Sequence, residues 1–191
     1  MRGIIIVSLV PLITSSIASA EEIKIASPTK KETITYKCSN SFCSAWVEDE
    51  NSKLFFFKEV KTATITAKWA SPDLAHISFS CGSPCSVSFF YKKTKGISKD
   101  IHDILAINTS KDCVLTPTED GIATFPIFAT SQINPFWHIK YNDKKINFYT
   151  KSAVIFSTIH AKFNKDDSLE FKYTKNNGSE GKYKVEDPCK K

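Results

Sequence analysis

The chain reads as an all-β protein, mainly antiparallel: a sandwich or barrel-like sheet stapled by disulfides, with at most one or two short helices. Three observations point there. β-branched and aromatic residues recur in short two-residue alternations, the period of a strand with one buried face. Clusters of Gly, Pro, Asn, Asp and Ser separate these runs at roughly the 8–12-residue intervals of a sandwich. Six cysteines, an even number, suit an oxidising compartment in which thiols pair.

Residues 1–20 read as a secretory signal, with Arg2 as the positive start, Ile4 to Leu12 as the apolar run and Ala18-Ser19-Ala20 as the small-residue cleavage site. The exported chain is then expected to begin at Glu21 and to run to Lys191 as one β-rich domain. The apolar run is shorter than the roughly 20 residues of a membrane span, and no later segment approaches that length. A soluble periplasmic or secreted protein is the expectation.

In chain order, Ile23 to Ile25 is a short strand before Pro28. Thr33 to Lys37 and Phe42 to Val47 flank the turn Cys38-Ser-Asn-Ser-Phe-Cys43. After Asp49 to Ser52 comes the aromatic run Leu54 to Phe57. Val60 to Trp69 is the cleanest alternation, with Ala63, Ile65, Ala67 and Trp69 on one face. The central hairpin follows: Leu74 to Cys81 and Cys85 to Tyr91 around Gly82-Ser83-Pro84. Ile97, Ile101, Ile104 and Leu105 fall at helical spacing behind Ser98, a candidate N-cap, so one short helix is expected there, passing into a strand near Leu105. Cys113 to Thr116 and Ile122 to Phe128 bracket an Asp120-Gly121 turn. Phe136 to Tyr141, Ile146 to Thr150, Ala153 to Phe163, Leu169 to Tyr173 and Lys182 to Val185 complete the strands, the last two joined across Asn177-Gly178. Six cysteines allow 15 pairings. Pairing of neighbours predicts Cys38–Cys43 and Cys81–Cys85, which leaves Cys113 for Cys189.

Removing Arg2, the one arginine, leaves 25 lysines against 20 acidic residues. Without arginine, bidentate phosphate clamps and base-specific contacts are hard to build, so nucleic acid is not expected as a partner. Weak attraction to an anionic surface or an acidic partner is compatible with the lysines. No metal or other cofactor is expected: Cys81-x3-Cys85 near His76 lacks a matching histidine pair. Gly-x-Ser-x-Gly, Ser-x-x-Lys in a fitting setting and His-Glu-x-x-His are missing, and no catalytic residue is assigned. His76, His102, His138 and His160 lie in separate expected elements, so an active site would need the fold to bring two of them to a turn carboxylate. Consecutive aromatics carry a different message, because strand neighbours point to opposite faces. One of Phe89 and Phe90, and one of Phe136 and Trp137, must be covered by a second layer or form an exposed patch. Phe90 and Trp137, with the basic pair Lys92-Lys93, are the candidate partner-binding residues. Asn108-Thr109-Ser110 and Asn177-Gly178-Ser179 match the glycosylation acceptor pattern.

The segment Trp69-Ala-Ser-Pro-Asp-Leu-Ala-His-Ile-Ser-Phe-Ser-Cys-Gly-Ser-Pro-Cys85, with Ile104-Leu-Ala-Ile-Asn108 and Ile122 to Phe128, resembles small uncharacterised periplasmic proteins of Gram-negative bacteria. The resemblance implies a β-rich periplasmic protein and carries over no catalytic residue. Trp69-x-Ser71-Pro72-Asp73 is also similar to the strand-turn motif of β-propeller blades, but a propeller needs repeated blades and one copy is present. The functional expectation is a non-enzymatic protein that binds another protein, most concretely an immunity or inhibitor protein against an envelope-targeted toxin or hydrolase. An envelope hydrolase whose site assembles only in the fold, and an envelope structural or adhesive component, are the alternatives.

Overall fold

The computed structural model describes residues 21–62, 64–129, 134–151 and 155–190, so the expected signal segment lies outside the described residues. Within them the chain is all-β and antiparallel, in four sheets that do not close into a barrel. The first sheet is β1 (Glu22–Ala26), β2 (Thr33–Ser39), β3 (Phe42–Glu48) and β4 (Lys53–Lys61). The second is β5 (Ile65–Ser71), β6 (Leu74–Ser80), β7 (Ser86–Lys92) and β8 (Gly96–Ile97), with β9 (Ile101–His102) also on β7. β10 (Ala106–Asn108), β11 (Cys113–Pro117), β12 (Gly121–Pro126) and β13 (Trp137–Lys140) make the third, and β14 (His160–Phe163), β15 (Leu169–Thr174) and β16 (Glu180–Val185) the fourth. Almost every strand pairs with its neighbour in sequence, as the short turns between them require.

The sheets pack in two sandwiches. Ile34, Ala45, Val47 and Phe57 of the first sheet meet Ala75, Ile77 and Tyr91 of the second. Leu115 and Ile122 of the third meet Leu169, Phe171 and Tyr173 of the fourth, with Ile146 and Phe148 between them. A smaller apolar contact joins the two: Leu74 and Phe90 from the back of the second sheet pack with Val114 and Ile127. The second sheet is thus covered on both faces over part of its area. Polar ties reinforce each joint. Tyr91 donates its hydroxyl to Glu32 Oε1 at 2.9 Å inside the first sandwich, and Lys92 Nζ sits 3.1 Å from Asp112 Oδ1 between the two.

The disulfides are Cys38–Cys43, Cys81–Cys85 and Cys113–Cys189, as neighbour pairing predicts. Register explains two of them: Cys38 and Cys43 stand directly opposite across β2 and β3, and Cys81 and Cys85 close the loop of the central hairpin. The third ties the segment after β16 to β11, where Thr124 also donates to the Pro188 carbonyl at 2.5 Å.

Four expectations need correction. The helix over Ile97 to Leu105 is instead β8, a connection and β9. Ser98 does not cap a helix; its hydroxyl accepts the Phe90 N–H at 3.0 Å and donates to the Lys99 carbonyl, so the edge of β7 claims this backbone. The run Val60 to Trp69 is not one strand but the end of β4 and the start of β5, a crossing between sheets where Thr62 donates to the Ser80 carbonyl at 3.0 Å. Ile146 to Thr150 forms no strand, only a bridge from Phe148 to Lys175, because Ile146 and Phe148 are fully buried plugs of the second sandwich. In the run read as Ala153 to Phe163, Ile155–Thr158 is a 3₁₀ turn leading into β14, and Ala153 lies outside the described residues.

Candidate functional site

The candidate partner-binding residues do not form one surface. Phe90 is 0% exposed, stacked on His76 with ring centres 4.6 Å apart, so a second layer covers it and it offers nothing to a partner. Trp137 packs against the second-sandwich core, 6.4 Å from Phe171. Lys92 is engaged by both Asp73 and Asp112 at 3.1 Å. Lys93 is exposed but paired with Asp49 at 3.1 Å, and Asp49 is held well below the usual carboxylate range by the Asn51 N–H, the Ser52 hydroxyl and that lysine.

Nor do the histidines converge. His102 is exposed beside Asp100 at 3.2 Å, and His138 lies 3.0 Å from Asp120 at the β12–β13 end. His76 alone is buried. Its Nε2 lies 3.1 Å from Ser88 Oγ, and its Nδ1 has no hydrogen-bond partner. Burial pushes its pKa down to about 4, helped by the charge of Lys68 opposite it. Asn108 of the first glycosylation pattern is buried, accepting from the Ser110 and Lys111 N–H groups and donating to Asp167, so its amide is already committed.

Two hollows present concentrated side-chain chemistry. The first is on the outer face of the first sheet. On β3, Cys43, Ala45 and Val47 point into the sandwich, which leaves Phe42, Ser44, Trp46 and Glu48 on the solvent side. Opposite them, β4 is bulged twice, so Phe56 and Phe57 both reach the core although they are adjacent. The bulge leaves Glu59 in the left-handed region at φ +52°, its N–H donated to Ser44 Oγ at 2.9 Å. The result is a concavity of about 460 Å³ lined by Lys37, Ser39, Phe42, Ser44, Trp46 and Glu59. Phe42 is 51% exposed on its wall and Phe55 37% exposed beside it. The Trp46 ring is covered by Lys53, whose Nζ is 3.7 Å from its centre, and Lys58 sits 4.2 Å over Phe55. Sequence reasoning missed this face. Its signal was the alternation Phe42-x-Ser44-x-Trp46-x-Glu48 next to the buried Cys43, Ala45 and Val47.

The second hollow, about 440 Å³, lies between the sandwiches. One wall is the back of the second sheet, with Lys68, His76, Ser78, Ser86 and Ser88; the other is apolar from Ile104 to Ile107 and at Ala161 and Phe163, with Lys162 between the last two. Register builds the polar wall: Lys68 stands opposite His76 and Ser78 opposite Ser88, all on the face turned away from the first sheet.

Comparison of the chain with protein-family models, curated proteins and solved structures returned no match. The site geometry therefore carries the functional argument alone.

Proposed function

We propose that this is a non-enzymatic, disulfide-stabilised protein of the periplasm or a similar extracytoplasmic space that acts by binding a protein partner, most concretely as an immunity or inhibitor protein against an envelope-targeted toxin or hydrolase. The observation that carries the reading is the outer face of the first sheet, where Phe42 stands half exposed over an aromatic-walled hollow. An exposed aromatic beside a hollow is the arrangement of a binding hot spot. The rim sets the partner's chemistry. Lys37, Lys53, Lys58 and Lys61 have no carboxylate partner among the described residues and outnumber the one lining carboxylate, Glu59, while Glu48 is occupied by the Trp46 indole at 2.8 Å and by Thr35. The complementary surface is an acidic rim around a projecting apolar side chain.

The test is capture from an envelope extract with the purified, disulfide-intact protein and, in parallel, its Phe42→Asp variant. One stoichiometric protein, retained by the wild type, lost by the variant and inhibited on binding, supports the proposal. Identical captures by both proteins would remove this face from it, and an unaffected activity would remove the inhibitor role.

A hydrolase is the second reading, favoured by the Ser88–His76 contact. Against it, Ser88 is buried and no carboxylate orients the free nitrogen of His76. Hydrolysis of an ester probe that vanishes in Ser88→Ala would establish it.

A further inference from the structure

The hollow between the sandwiches has a composition that the protein-binding reading does not use. Its polar wall holds hydrogen-bonding capacity that the protein leaves unspent. Lys68 has no carboxylate partner and the Ser78 hydroxyl no hydrogen-bond partner among the described residues, and His76 Nδ1 is buried without one. Two lysines line the hollow. Lys162 pairs with Glu170 at 3.5 Å, whereas Lys68 is the lining cation without a carboxylate partner, set against Ile104, Leu105, Ile107 and Phe163. Asp103 keeps its negative charge at the margin, accepting from the Ser86 N–H at 2.8 Å and the Ser86 hydroxyl at 3.3 Å. Its volume lies within the range of small-molecule sites.

We propose that the hollow binds a small organic carboxylate with an apolar body. Lys68 receives the carboxylate and Ser78 donates to it, while the body lies against Ile104 to Ile107 and Phe163. A single free lysine matches a monoanion. A phosphate ester, with nearly two charges, would ask for more cations or a nest of backbone N–H groups than this wall supplies. Burial, with the nearby charge of Lys68, keeps the His76 imidazole neutral near pH 7, so the site gains no second charge.

Calorimetric titration of the disulfide-intact protein with 4-phenylbutyrate, and separately with its neutral amide, tests this. The acid should bind once per chain and at least about tenfold more tightly than the amide, the scale of one charge-assisted hydrogen bond. Lys68→Gln should remove that difference while leaving the amide unchanged, and Ser78→Ala should reduce it; Phe42→Asp should alter neither ligand. Amide NMR shifts should follow Lys68, Ser78 and residues 104–107. Equal binding of acid and amide, no binding of the acid at millimolar concentration, or shifts confined to the Phe42 face would overturn the proposal. The acid–amide comparison on the wild type stands whether or not a variant folds.

Discussion

At the scale of single residues, two buried polar groups set how the protein responds to substitution and to pH. Tyr91 and Glu32 are both buried and joined at 2.9 Å; burial first, and then the carboxylate, raise the tyrosine pKa above its ordinary value. Tyr91→Phe removes the donor and leaves a buried carboxylate oxygen unsatisfied, so urea denaturation should show a loss of about 1–3 kcal/mol, partly recovered by adding Glu32→Gln. His76 is the second case. Its folded pKa of about 4 lies below the ordinary 6.5, so its contribution is fully present above about pH 6.5. As pH falls through that value the unfolded chain takes up a proton that the folded chain refuses until about pH 4, and stability is lost across that window. Between pH 7 and 5 the loss is about 2 kcal/mol. A His76→Gln variant should show a pH dependence smaller by that amount. Asp73, Asp166 and Asp167, held low chiefly by the hydroxyls of Ser71, Ser168 and Ser110, lose their contribution only at lower pH, and so leave the histidine window clear.

At the scale of elements, the edges and pairings of the sheets decide what is exposed. β4 is an edge strand carrying three consecutive phenylalanines, a hazard for edge-to-edge association. Its two bulges sink Phe56 and Phe57, and Lys53, Lys58 and Lys61 punctuate what is left, so Phe55 and Phe42 stay exposed without a flat apolar ribbon. In the fourth sheet, Gly181 stands opposite Tyr173, and a methyl group there would collide with the tyrosine ring. The ring lies over the glycine and fills the space a side chain would take. Gly181→Val should therefore cost about 1–3 kcal/mol in denaturant midpoint through overpacking, and Tyr173→Leu combined with it should lessen the loss. A purely propensity-driven strand would respond the other way, since valine favours strands.

At the scale of the whole molecule, two sandwiches are joined by few apolar residues, by the Lys92–Asp112–Lys95 cluster and by the polar-walled gap. Cys113–Cys189 spans 76 residues within the second sandwich, against 5 and 4 for the other bridges. On loop-closure entropy alone its removal by paired alanines should cost about 4–5 kcal/mol, and each short bridge about 2. Thermal melts of the three double variants should rank in that order. Melting of the Cys113/Cys189 variant in two separated steps would show that the sandwiches unfold independently.

Composition and alternation by themselves determined the fold class and most of the hairpins, features that rest on local physics: a period of two and turn residues with restricted backbones. Six cysteines left 15 pairings open; neighbour pairing suggested the bridges that the structure shows, but the long Cys113–Cys189 link, across 76 residues, is fixed only by the tertiary fold. The candidate sites were not legible in that way. Phe90 and Phe42 look alike in sequence, each an aromatic beside a buried strand position, yet one is sealed beneath the third sheet and the other stands in solvent. The helical spacing of Ile97 to Leu105 likewise yielded to strand pairing with β7. Which face of a strand receives a second layer depends on how sheets distant in the chain stack. That contact is long-range, so only the tertiary structure decided it.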